Sequence, residues 1–133
     1  MKMKTYLIEE AQSGEEAGEY LWVSLGFASA ENPLDVLHIV CACAIKPQDR
    51  DGGMDAIYLE RDDQSRGGYG GAERIAVGER SIDVEFNAAG LRDLEFGDSV
   101  SLQWPEQLAG KAEALRILER MRGYECGRVV ESA

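Results

Sequence analysis

The chain has one histidine, three prolines, three cysteines and few positive charges, and each scarcity removes a class of protein. With His38 alone, most His-dependent hydrolase schemes fall away, and neither GxSxG nor HExxH occurs. Three cysteines cannot all pair within one chain. Because Cys41 and Cys43 sit inside an apolar run, reduced thiols are expected, with Cys126 the third. Joining these three to His38 as a zinc set would put a C-x-C knuckle in mid-strand, so no metal and no cofactor are expected. No apolar run approaches the roughly 20 residues that span a bilayer, and Met1 to Glu10 lacks the apolar core of a signal peptide, so a cytoplasmic location with no membrane partner is expected. The 14 Lys+Arg face 25 Asp+Glu, a net charge of −11. So acidic a chain is poorly suited to displacing counterions from phosphates, which excludes nucleic acid as a direct ligand.

What is there suffices for a folded body. At 133 residues with 44% hydrophobic content, the expected organisation is one domain over 1–133, with its core in about 20–122, an acidic loop at 9–19 and a tail at 123–133. Residues 106–133 hold five acids and five bases, so the whole excess lies within residues 1–105. Such a field speeds encounter with a basic partner.

Period-two alternation from Tyr20 to Ser29 predicts a half-buried strand with Leu21, Val23, Leu25 and Phe27 inward. The run from Leu34 to Ile45 is apolar on both faces and predicts a central strand. His38, within it, reads as a core histidine whose ring nitrogens are satisfied by backbone. The stretch KPQDRDGG from Lys46 to Gly53 argues against regular structure. A strand is expected over Met54 to Glu60, then a glycine-dense loop to Gly71, then a hairpin from Glu73–Val77 and Ser81–Phe86. Asn87 can cap one helical turn, and Val100, Leu102 and Trp104 alternate in a last strand ended by Pro105. From Leu108 the period changes: Leu108, Ala112, Leu115, Leu118 and Met121, widened by Ile117, form one helical stripe, with Gly123 as a left-handed stop. The sum is an α+β fold, a largely antiparallel β-sheet with one C-terminal amphipathic helix packed on it.

The loop Asp62 to Gly71 is the least ordinary segment. It lacks the Lys and the helix of a phosphate-binding loop, and its adjacent acids do not alternate as calcium ligands do. Asp62 and Asp63, neighbours on an extended segment, point to opposite sides and are poorly placed to share one bond. Polar side chains there could instead hold the glycine-rich turn, with Tyr69 as anchor.

The strings Val23-Ser24-Leu25-Gly26-Phe27-Ala28, Tyr58-Leu59-Glu60-Arg61-Asp62-Asp63-Gln64-Ser65, Tyr69-Gly70-Gly71 with Glu73-Arg74-Ile75, and Leu115-Arg116-Ile117-Leu118 resemble the immunity protein 10 family of bacterial polymorphic toxin systems over about residues 20–122. The resemblance implies a small α+β cytoplasmic protein that binds and silences a toxin domain, and it transfers no catalytic residue. On that view an acidic face built from some of Asp49, Asp51, Asp62, Asp63, Asp83 and Glu85 meets a basic cleft, as a nuclease would offer, while Gln64 and Tyr69 belong either to the fold or to the interface. A rival from another class is a metal-dependent or carboxylate-based hydrolase using Asp62, Asp63 and His38, which requires a pocket joining them. A scaffold or homodimer would show a self-complementary apolar patch.

Overall fold

A computed structural model describes residues 3–53, 56–62, 64–124 and 129–131. Among the described residues nine strands form one sheet: β1 (Lys4–Glu16), β2 (Tyr20–Phe27), β3 (Asp35–Ala42), β4 (Tyr58–Arg61), β5 (Gly67–Tyr69), β6 (Ala72–Val77), β7 (Ser81–Phe86), β8 (Ser99–Gln103) and β9 (Val129–Glu131), in the order β5-β4-β3-β2-β1-β8-β7-β6-β9. The helices are α1 (Pro47–Asp51), α2 (Ala88–Leu94) and α3 (Lys111–Met121). The fold is α+β and mostly antiparallel; the parallel pairs are β1 with β8 and β6 with β9.

The segment expected as an acidic loop at 9–19 is instead the hinge of the sheet. Lys4–Leu7 of β1 pairs with β8 and Ile8–Glu16 with β2, the register shifting between Ile8 and Glu10 where the strand changes partners. The segment's polarity misled because β1 buries little: Ile8 is sealed, and most other side chains remain exposed or half-exposed. Pairing with a neighbouring strand satisfies the backbone whatever the side chains are, so polarity alone did not make it a loop. The expected tail is corrected as well, since Val129–Glu131 lies beside β6.

Inward side chains of both arms of the sheet join one core. Leu21, Val23, Leu25 and Phe27 of β2, Leu37, Ile39 and Cys41 of β3, and Ile75, Ile82 and Val84 of the β6–β7 hairpin all belong to it. α3 packs against β1, β2, β6 and β9 and so closes both arms over that core. Its buried stripe is Ala114, Ile117, Leu118 and Met121, while Ala112 stays exposed; the helix begins at Lys111, capped by Gly110 at φ +90°, three residues after the apolar period starts at Leu108. Gly123 does not take up a left-handed conformation; the cap residue Arg122 is right-handed, and the left-handed stop belongs to α2, at Glu95, φ +58°.

α2 starts as the sequence predicts, with Asn87 Oδ1 accepting the Gly90 amide at 3.0 Å. Two regions expected to be irregular are not. Lys46–Gly53 contains α1, whose first residue is Pro47, with Asp49 Oδ2 accepting the Lys46 amide at 2.9 Å. The glycine-dense loop contains a 3-10 turn at Gln64–Arg66 and then β5. Cys41 is buried and Cys43 half-buried, both as free thiols, and Cys126 lies outside the described residues. No described helix is long and apolar enough to cross a membrane.

Candidate functional site

Period two decides what the arm β2–β5 shows on its outer side. With the odd-numbered residues of β2 and β3 committed to the core, the even-numbered ones are left over. Strand pairing sets them in rows: Ser24, His38 and Glu60; then Trp22, Val40, Tyr58 and Tyr69; then Tyr20 beside Ala42. β3 is thus apolar on both faces, as expected of a central strand, yet Val36, Val40 and Ala42 remain half-exposed while Leu37, Ile39 and Cys41 are sealed.

The rows do not make a flat surface. The small Ala42, Ala44 and Ala56, Val40, and the larger rings of Tyr20 on β2, Tyr58 on β4 and Tyr69 on β5 together line a depression of about 370 Å³. The rings of Tyr58 and Tyr69 are 5.1 Å apart and tilted by 57°. Glu19 from the β1–β2 turn, Lys46 at the N-cap of α1, and Gln48 and Asp49 within α1 supply its charged and polar rim. Tyr20 and Tyr69 are 47% and 44% exposed, which for rings of this size makes them available to a partner.

Beside the depression runs a polar row. Ser24 Oγ and His38 Nδ1 are 2.5 Å apart, His38 Nε2 lies 4.0 Å from Glu60 Oε2, and Tyr58 Oη donates to Glu60 Oε1 at 2.7 Å. Burial, then the hydrogen bond and charge of Glu60, push the Tyr58 phenol up to about 12, so it is neutral and a donor at any physiological pH. His38 is therefore not the backbone-satisfied core histidine expected from its neighbours: position 38 has the outward parity, and its partners are side chains. The three residue types are those of a nucleophilic triad, but Glu60 is occupied by Tyr58 and does not reach His38 within hydrogen-bonding distance.

The residues singled out in the sequence are dispersed. Asp49 and Tyr69 meet at the depression. Asp51, at the end of α1, is exposed. Asp62 follows β4 with φ +68°, its amide donating to Val36 O at 2.9 Å and its Oδ1 accepting from Asn32 Nδ2 at 3.4 Å. It is tied to the β2–β3 loop, and neither it nor His38 lines the depression. Asp63 lies outside the described residues, and Gln64 opens the 3-10 turn. Asp83 and Glu85 sit on β7 in the other arm, Asp83 accepting from Ser101 Oγ at 2.6 Å and Glu85 lying 3.5 Å from Arg74. Among the described residues no group of three or more His, Cys, Asp or Glu side chains could hold a metal ion.

The sequence reading missed the residue that organises the segment, Arg61. It is 1% exposed, and its Nη2 and Nε lie 2.9 and 3.1 Å from Asp35 Oδ2. Its Nη1 donates to Leu94 O and Glu95 O at 3.0 and 3.1 Å, and the guanidinium stands 3.9 Å over the Phe96 ring. Burial raises the pKa of Asp35, but the Arg61 guanidinium, the Ser29 hydroxyl and the Val36 amide more than reverse this and leave it below the ordinary carboxylate range. Arg66 continues the network outward to Glu31 at 2.8 Å and Glu95 at 3.0 Å. Just beyond, a Cβ on Gly71 would come within 2.9 Å of Gly90 Cα, and Asn87 donates to Gly70 O, so the glycine pair lets α2 press on the chain between β5 and β6. A parity argument could have flagged Arg61: it follows Leu59 by two and so faces the core. Two arginines and a backbone contact fasten this segment to the β2–β3 loop and to α2.

A family model described as Immunity protein 10 matches residues 8–112. The match takes in most of β1, and it ends before Leu115–Leu118. No curated protein and no solved structure matches the chain.

Proposed function

Because the chain belongs to the immunity protein 10 family, we propose that it protects its cell by binding a toxin stoichiometrically in the cytoplasm, an acidic surface of this protein covering a basic cleft such as a nuclease presents to phosphate. Charge distribution supports this reading. Residues 1–69, which carry β1 to β5, hold thirteen acids against six bases. That arm therefore contributes most of the net −11, and its field would draw in a cationic partner and orient it before contact. The same arm exposes tyrosines that can form the desolvated centre of an interface once the charges have steered the encounter.

The test is co-expression with the toxin gene encoded beside this one, followed by a binding assay on the purified pair. Protection should saturate at equimolar protein, and association should slow as salt is raised, because the attraction is screened over about 10 Å at 0.1 M. Undiminished toxicity at an excess of this protein would refute the proposal.

A further inference from the structure

The placement of the depression on the outer face allows a more specific statement, which rests on the toxin-binding reading above. We infer that the hollow between Tyr20 and the Tyr58–Tyr69 pair is a socket for an arginine side chain projecting from the toxin. Three properties of the hollow specify that occupant. Its lining includes three tyrosine rings, whose negative faces attract a cation and whose planes accept a stacked guanidinium. It also includes the small apolar side chains of Val40, Ala42, Ala44 and Ala56, which suit the methylene stem of a long side chain. Its rim carries Glu19 and Asp49 against the single base Lys46, a net negative mouth. Among the described residues no cation pairs with Glu19, in contrast to Glu85 on the opposite arm, which has Arg74 at 3.5 Å. A volume of about 370 Å³ is ample for one such side chain together with water.

An arginine also fits the chemistry of the partner. A cleft that holds phosphate does so with basic side chains, and a side chain withdrawn into the socket is no longer available to substrate. The socket would thus occupy a group that the toxin needs, while the surrounding acids replace the phosphate charge.

Two measurements test this. In the first, isotope-labelled protein is titrated with Nα-acetyl-arginine amide and, separately, with the neutral isostere Nα-acetyl-citrulline amide. Amide shifts confined to the neighbourhood of Tyr20, Ala42, Ala44 and Tyr69, present with arginine and absent with citrulline, are expected; scattered shifts, no shifts, or equal responses to the two compounds would overturn the inference. In the second, the toxin encoded beside this gene is bound by wild type, Glu19→Lys, Tyr69→Ala and, past the end of β8, Glu106→Lys at an exposed acid. Glu19→Lys and Tyr69→Ala should each weaken binding about tenfold or more, as truncation of a central interface residue does, with Glu106→Lys close to wild type. Both altered side chains are exposed, so thermal melts of the variants should match wild type. If wild type binds the toxin and the socket variants bind equally well, the inference is wrong while the toxin-binding reading stands. If wild type binds no toxin, both fall.

Discussion

Replacing Arg61 by Met should be among the most damaging single changes in this protein. The substitution keeps an unbranched chain over Phe96 but leaves Asp35, itself 1% exposed, without its counter-ion, and it removes the donor from Leu94 O and Glu95 O. Breaking one side of a buried ion pair costs about 3–5 kcal/mol, and a buried acceptor left unpaired costs about 1 kcal/mol or more. These losses overlap in space, so a total near 4 kcal/mol is expected, a large part of the roughly 5–15 kcal/mol that holds a domain together. With a urea slope of about 2 kcal/mol per molar, the unfolding midpoint should fall by about 2 M. The diagnostic comparison is the double variant Asp35→Leu/Arg61→Met. Removing both charges leaves no stranded carboxylate, so the double variant should be more stable than Arg61→Met alone, with a coupling energy of about 2 kcal/mol or more. If Arg61→Met costs less than about 1 kcal/mol, or if the double variant is as unstable as the two single losses summed, the guanidinium is not the fastening described above.

Three further outcomes can be checked. Because the Asp35 carboxyl is held below its unfolded value of about 3.9, its contribution is fully present above that pH and is lost as pH falls through the lower folded value; urea midpoints followed downward from neutral pH should drop over that range, and less steeply in the Asp35→Leu/Arg61→Met variant. Tyr58 should be the last tyrosine to ionise in an ultraviolet absorbance titration, near 12, with stability lost as pH rises from the ordinary phenol range through that value; Tyr58→Phe should remove the final step, and a chain whose tyrosines all titrate normally would contradict the Tyr58–Glu60 bond. Asn87→Ala takes away both the α2 cap and the donor to Gly70 O, so a loss of about 1–2 kcal/mol is expected, visible as a fall of several degrees in Tm, whereas an unchanged Tm would mean that α2 is held by its packing alone.

Where side-chain pattern and backbone pairing agree, the elements were legible in the sequence. β2, the β6–β7 hairpin and the cap of α2 came out as expected because alternation and a capping Asn report local geometry directly. β1 did not, since pairing first with β8 and then with β2 satisfies its backbone with little apolar surface of its own, and α1 and β5 were hidden by Pro and Gly that serve as a first helical residue and as sites of close approach. In the α3 segment both the period and most of the stripe were right: Ile117, Leu118 and Met121 are buried and Leu108 and Leu115 pack against the core, while Ala112 is exposed and Ala114 is buried in its stead.

The sequence by itself determined the acid excess and its confinement to residues 1–105, the α+β class, and the family string around Asp62, because composition, periodicity and motif are properties of the chain before it folds. Only the tertiary structure decided which polar residues are structural and which face outward. Arg61 and Asp35, 26 positions apart, meet in the core, and His38 leaves the core for a row with Ser24 and Glu60. The tyrosines at 20, 58 and 69 come to line one hollow because strand register, which no local pattern encodes, sets β2, β3, β4 and β5 side by side.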